Sequence, residues 1–206
     1  MNLKEFKQLP IMGILRGIEK DSIEPLTEQI ILSGLKTIEV AMNTKGAAGI
    51  ISRINNLSKG RLTVGAGTVL TSADLHSALD AGATFIVLPV LINDVVEYCV
   101  KNDIPVFPGA LTPQEIYDAW SAGASMVKVF PAKLFGPAYF REIKAPFDDI
   151  ELLACGGVDK NSIKEFFACG ASAVAFGTSI FRKDLIKGSR FEEIRKNIES
   201  LISAYE

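Results

Sequence analysis

A short unit recurs four times along the chain, and it restricts the fold more than any other feature. Ser33-Gly34-Leu35-Lys36-Thr37-Ile38-Glu39-Val40 resembles Ala81-Gly82-Ala83-Thr84-Phe85-Ile86-Val87-Leu88. It also resembles Ala122-Gly123-Ala124-Ser125-Met126-Val127-Lys128-Val129 and Cys169-Gly170-Ala171-Ser172-Ala173-Val174-Ala175-Phe176. In each copy a glycine ends a helical stretch and an apolar strand follows at once. The copies lie roughly two strand–helix units apart, the recurrence expected of a (β/α)8 TIM barrel. A doubly wound open sheet predicts no such even recurrence, and the first strand–helix turn lacks G-x-G-x-x-G.

The stretches between copies complete the alternation. Apolar runs predict strands near 10–17, 36–42, 62–68, 84–88, 104–108, 124–130, 151–154 and 173–176. Helical spacing predicts helices between them, among them 45–57, 94–102, 138–144 and 159–169, after a short N-terminal helix near 2–8. Thr112-Pro113-Gln114-Glu115 opens one of them, with proline at the first helical position and glutamate placed for a capping box. No polar linker interrupts the series, so residues 1–206 are expected to form a single barrel domain.

Charge and cysteine content narrow the class of function. A net charge of −2 provides no general attraction to nucleic acid or anionic membrane. Cys99, Cys155 and Cys169 form no CxxC, and His76 is the one histidine, which argues against a disulfide framework or a zinc site. His76 falls on the solvent side of its helix, and we assign it no role. The N-terminus mixes charges into its apolar residues and has no signal-peptide core, so a reduced, cytoplasmic setting is expected.

One lysine sits inside the apolar strand of the third copy. Side chains alternate along a strand, so Met126, Lys128 and Phe130 share one side, and Val127 and Val129 the other. A buried ammonium costs several kcal/mol unless it is paired or sheds its proton. Lys128 is therefore either half of a salt bridge or a nucleophile. Glu39 holds the same place in the first copy, five residues past the glycine, where the other copies have Val87 and Ala175. The two ionisable groups should approach one another across the barrel mouth. A structural ion pair is the plain reading. The functional one is a Schiff-base lysine with a carboxylate that moves protons, directly or through water.

Barrel active sites lie at the C-terminal strand ends, where the polar and glycine residues of this chain collect. Cys155-Gly156-Gly157-Val158-Asp159 follows the seventh strand and Phe176-Gly177-Thr178-Ser179 the eighth. Glycines there let backbone N–H groups approach a phosphate, although they also serve as ordinary turn residues. Arg16 suits a substrate carboxylate or a rim salt bridge. Thr68 suits a substrate hydrogen bond or a helix cap. Phe130 suits an apolar wall beside the lysine.

Together these residues resemble the class I aldolases of the 2-keto-3-deoxy-6-phosphogluconate (KDPG) aldolase family. The motifs are Ile-Glu-Val at 38–40, Gly-Ala-Gly-Thr-Val at 65–69, Pro-Gly at 108–109 with Thr-Pro at 112–113, Lys-Val-Phe-Pro-Ala at 128–132 and Gly-Gly-Val at 156–158. The resemblance implies a homotrimer that needs no metal or cofactor. It cleaves a 2-keto-3-deoxy-6-phospho sugar acid to pyruvate and glyceraldehyde 3-phosphate, with Lys128 as nucleophile and Glu39 as acid/base. Thr68 and Pro89 would border the pyruvyl end, and Gly156, Gly157, Gly177 and Thr178 would hold phosphate. Asn43 stands where the gluconate enzymes usually carry a carboxylate-gripping arginine, and Cys155 where they carry threonine. Arg16, Asn43 and Phe135-Gly136-Pro137 look closer to the phosphogalactonate branch. Leu88, next to Pro89, is bulkier than the usual residue and is expected to alter specificity. Competing readings are a 4-hydroxy-2-oxoglutarate aldolase, a phosphate-binding isomerase or synthase, and a non-catalytic sugar-phosphate barrel.

Overall fold

A computed structural model describes residues 1–206. Nine short parallel strands follow in chain order: β1 Ile11–Leu15, β2 Thr37–Ala41, β3 Thr63–Gly67, β4 Ile86–Val87, β5 Val106–Phe107, β6 Gly109–Ala110, β7 Val127–Val129, β8 Leu152–Cys155 and β9 Ala173–Phe176. They form one sheet in the order β5-β4-β3-β2-β1-β9-β8-β7-β6. Its two outermost members, β5 and β6, are separated in the chain by Pro108 alone. They are two halves of one staved position, and the sheet closes on itself through them. The fifth strand therefore differs from the continuous run expected at 104–108. Proline has no N–H for the ladder and divides it, and only the carbonyl of Pro108 pairs, accepting from the Lys128 N–H at 2.8 Å.

The helices covering the barrel are α2 Ile23–Leu32, α3 Ala47–Ser58, α4 Ser72–Asp80, α5 Asn93–Lys101, α6 Pro113–Ser121, α7 Gly136–Lys144, α8 Ile163–Ala168 and α10 Phe191–Tyr205. A short α9, Lys183–Lys187, precedes the last and was not expected from the sequence. The capping box opening α6 is present. The Thr112 hydroxyl accepts from the Glu115 N–H at 3.3 Å, and the Glu115 carboxylate accepts from the Thr112 N–H at 2.8 Å. Helix α8 starts later than the predicted 159. The Asp159 carboxylate captures the amides of Asn161 and Ser162 at 2.8 and 3.1 Å, a local turn that competes with helix.

Two apolar layers result. Val127, Val129, Ile38, Val40 and Leu88 face outward and pack against the helices. Met12, Phe85, Val87, Phe107, Met126, Leu153 and Ala175 fill the barrel interior. The N-terminal helix α1, Leu3–Phe6, closes the lower end, with Phe6 edge-on to Phe107 at 6.3 Å between centroids. The polar and functional groups are left at the upper end.

Glycine makes room inside this cylinder. A Cβ at Gly65 would fall 2.5 Å from ring atoms of Phe85, which is fully buried and stands edge-on to Phe107. Gly65→Ala is therefore expected to overpack the interior by about 1–3 kcal/mol. That lowers the melting temperature by about 2–4 °C for each kcal/mol lost. Gly49→Ala, on the exposed side of α3 with no neighbour near its Cβ, should instead raise it through helix propensity. Thermal melts of the two variants against the parent check both signs.

Candidate active site

Lys128 is the middle residue of β7 and only 5% exposed; Glu39 is the middle residue of β2 and 1% exposed. The ladder places Glu39 level with Ile14 on β1 and Gly65 on β3, and Lys128 level with Gly109 and Leu153. The repeat register therefore carries through: Val87 and Ala175, the equivalent positions, also face the interior. Each charged residue stands level with a glycine on a neighbouring strand, the room beside Gly65 being taken by the Phe85 ring and that beside Gly109 by the Pro89 backbone. The Glu39 carboxyl lies over Gly67, where a Cβ would come within 2.5 Å of its carbon.

The expected approach of the two groups is incomplete. Lys128 and Glu39 share no hydrogen bond, and both enclosed Glu39 oxygens lack any partner in the protein. Burial is the dominant influence on Glu39 and pushes its carboxyl above the ordinary range. The positive charges of Lys128 and then Arg16 act in the opposite direction. This arrangement is not a satisfied structural ion pair. A buried carboxyl with open lone pairs can accept a proton from a group that enters the mouth.

Two side chains flank the Lys128 amine. The Cys155 thiol, 2% exposed at the end of β8, lies beside it. Burial pushes that thiol up, although Lys128 partly offsets the effect, and the thiol stays protonated near neutral pH. The Phe130 ring stands above, its centroid 5.5 Å from the amine nitrogen and its outer face 43% exposed. Phe130 separates two cavities at the mouth. One of about 320 Å³ is lined by Pro89, Val90, Gly109 and Ala110. The other, of about 400 Å³, brings together Arg16, Gly156, Gly157, Gly177, Thr178 and Lys133.

The second cavity gathers the two glycine loops expected to bind phosphate. Gly156 and Gly157 have φ of +94° and +85°, a conformation that side chains rarely adopt. The amides of Gly156, Gly157, Thr178 and Ser179 donate to no protein acceptor. The Ser179 hydroxyl donates to the Val158 carbonyl at 3.0 Å and ties the loops together. Lys133 on the wall was missing from the sequence reading; it lies five residues past Lys128, in a turn with no helical or strand period to mark it.

Arg16 leaves the end of β1 and donates to the Thr68 hydroxyl at 3.1 Å. Thr68 holds φ +56°, an outlying conformation for a β-branched residue, of the kind that gathers at functional sites. The buried Thr44 hydroxyl accepts from the Gly17 N–H at 3.0 Å and fixes the Arg16 loop, a contact not foreseen from sequence. Asn43 sits on the exposed turn beside it and lines neither mouth cavity. Leu88 corrects another expectation. Its side chain belongs to the outer core, fully buried against the helices, because alternation turns it away from the mouth and turns Val87 inward. His76 is exposed and packs edge-on to Tyr98, 5.0 Å between ring centres. A separate cavity of about 740 Å³ opens between the starts of α2 and α3 and shares no residue with the mouth.

The family model for KDPG and KHG aldolase matches residues 3–197. A probable 2-dehydro-3-deoxy-6-phosphogalactonate aldolase of Rhizobium meliloti (strain 1021) is 29% identical over 198 residues, 96% of this chain and 92% of that protein. A 2-dehydro-3-deoxy-phosphogluconate aldolase of Treponema pallidum (strain Nichols) is 32% identical over 189 residues, 88% of each chain. A solved structure described as native KDPGal superposes with a TM-score of 0.89 at 29% identity, covering 96% of this chain and 95% of that one. Sequence and fold agree over nearly the whole length, and the chain belongs to the KDPG and KHG aldolase family.

Proposed function

We infer that this aldolase cleaves a 2-keto-3-deoxy-6-phospho sugar acid, of the gluconate or galactonate type, through a Schiff base on Lys128. The observation that carries the reading is a buried lysine at the mouth of the barrel with no carboxylate bound to it, facing a buried carboxyl with no donor bound to it. The glycine-lined cavity with its unpaired amides favours a phosphorylated substrate over 4-hydroxy-2-oxoglutarate.

The Lys128 amine adds to the C2 carbonyl, and loss of water leaves an iminium. Glu39 takes the proton of the C4 hydroxyl, directly or through water. The C3–C4 bond breaks, its electron pair enters the iminium to give an enamine on Lys128, and C4 departs as the aldehyde of glyceraldehyde 3-phosphate. A proton returns to C3, and water hydrolyses the iminium to pyruvate and free lysine. Arg16, held by Thr68, lies at the edge of the glycine-lined cavity and is our candidate for the substrate carboxylate, while Pro89 borders the other cavity and Asn43 stands outside both. Phe130 covers the iminium, and Gly156, Gly157, Gly177 and Thr178 receive the phosphate. Burial raises the Cys155 thiol, so the group beside the amine adds no negative charge.

The same reading takes residues 1–206 as one catalytic domain, working in the cytoplasm as a homotrimer. Exposed Leu70, Val90, Leu134 and Phe135 are apolar surface that such an assembly would cover. No helix is long and apolar enough to cross a membrane.

Borohydride reduction in the presence of pyruvate, followed by peptide mass spectrometry, is expected to place a reduced pyruvyl group on Lys128. Lys128→Met should lose both the adduct and turnover while keeping the parent's circular dichroism. A folded parent that yields no adduct at saturating pyruvate would return Lys128 to a structural role.

Glu39 should show a divided effect. Glu39→Gln is expected to lower kcat by about 10²–10⁴-fold. Its folded-state carboxyl is raised above the unfolded value, so ionisation opposes folding as pH climbs past the ordinary glutamate range. The variant removes that opposition. Its melting temperature should exceed the parent's at pH 8 by more than at pH 5, and a gap that narrows with rising pH would contradict the assignment.

A further inference from the structure

We propose that Lys133 selects for the phosphate-bearing aldehyde half of the substrate, as a specificity-determining residue of this chain. The cavity that receives the glycine loops has cations on its wall, Arg16 and Lys133, and no carboxylate. Arg16 is engaged with Thr68, whereas Lys133 has no ion pair and its side chain is exposed toward the cavity rim. The turn Ala132–Leu134 begins one residue past Pro131, so the chain that leaves the Schiff-base strand delivers Lys133 to the glycine loop.

Contact with that loop is close. A Cβ on Gly157 would fall 2.5 Å from the Cβ of Lys133 and 3.4 Å from its Cα. Lys133 therefore packs its stem where Gly157 has no side chain, and it lines the same cavity as the unpaired amides, within reach of its flexible side chain. Those amides are neutral donors. A phosphate monoester carries about −1.5 to −2 charges at pH 7, and an ammonium opposite it acts as a point charge on a mobile stem. A phosphorylated three-carbon aldehyde gains from that charge, and an unphosphorylated one does not.

The proposal rests on the aldolase reading, and the test separates the two. Condensation is measured with pyruvate and either glyceraldehyde 3-phosphate or glyceraldehyde, in the parent, Lys133→Met and Lys133→Arg. Methionine keeps the stem against Gly157 and removes the charge. Lys133→Met is expected to raise KM for glyceraldehyde 3-phosphate about tenfold with kcat nearly unchanged, and to leave kcat/KM for glyceraldehyde as it was. Lys133→Arg should restore most of the loss. Inorganic phosphate should inhibit the parent competitively and Lys133→Met about tenfold more weakly.

Equal losses for both aldehydes, or an unchanged KM for the phosphorylated one, would overturn the role of Lys133. Borohydride trapping of pyruvate in Lys133→Met provides the separation. Trapping at the parental rate alongside an unchanged KM removes Lys133 alone, whereas absent trapping in the parent removes the aldolase mechanism itself.

Discussion

The structure depends on the placement of two ionisable side chains inside a cylinder otherwise filled by apolar ones. Met12, Phe85, Val87, Phe107, Met126 and Leu153 surround Lys128 and Glu39 from below, and Phe6 closes the bottom. A low-dielectric surround strengthens each unsatisfied interaction, which makes the lack of hydrogen-bond partners on Glu39 costly. An apolar pair in the same register would pack without that cost, and two other copies of the repeat use Val87 and Ala175 there. Stability alone does not account for the two exceptions, and chemistry at the mouth is the role we propose for them.

Glycine is the complement of those exceptions. Gly65 and Gly109 stand level with Glu39 and Lys128 on adjacent strands, and Gly67 lies under the Glu39 carboxyl. A strand interior is a poor place for glycine in propensity terms. Inside a narrow barrel its missing side chain is space, and here the space is occupied by charged groups, a phenylalanine ring and the crossing backbone of Pro89. The same economy recurs at the rim, where Gly157 yields its side-chain volume to Lys133.

The parts of this arrangement visible in the sequence are those set by period. The glycine-to-strand repeat announced the barrel, and its five-residue offset placed Glu39 and Lys128 inside. Alternation likewise turns Leu88 outward and Val87 inward, so parity along the strand outweighs neighbourhood to Pro89. Other parts have no periodic trace. Pro108 splits a strand without moving its neighbours, so the split shows only in which carbonyls and amides pair. The Thr68 backbone, the Thr44 brace and the position of Lys133 depend on loops that meet only after the barrel closes. Such contacts join residues far apart in the chain, and no local pattern encodes them.

The mouth is then best understood as two zones divided by Phe130. Pro89 and Gly109 line one side, and Gly156, Gly157, Gly177 and Lys133 line the other. The amine of Lys128 lies under the divide, with Cys155 beside it on the glycine side. Burial raises the Cys155 thiol above its ordinary range, so position 155 adds no negative charge beside Lys128. The surroundings of Lys128 and the glycine loop are thus joined through one position, because Cys155 ends β8 beside the amine and Gly156 begins the loop that follows.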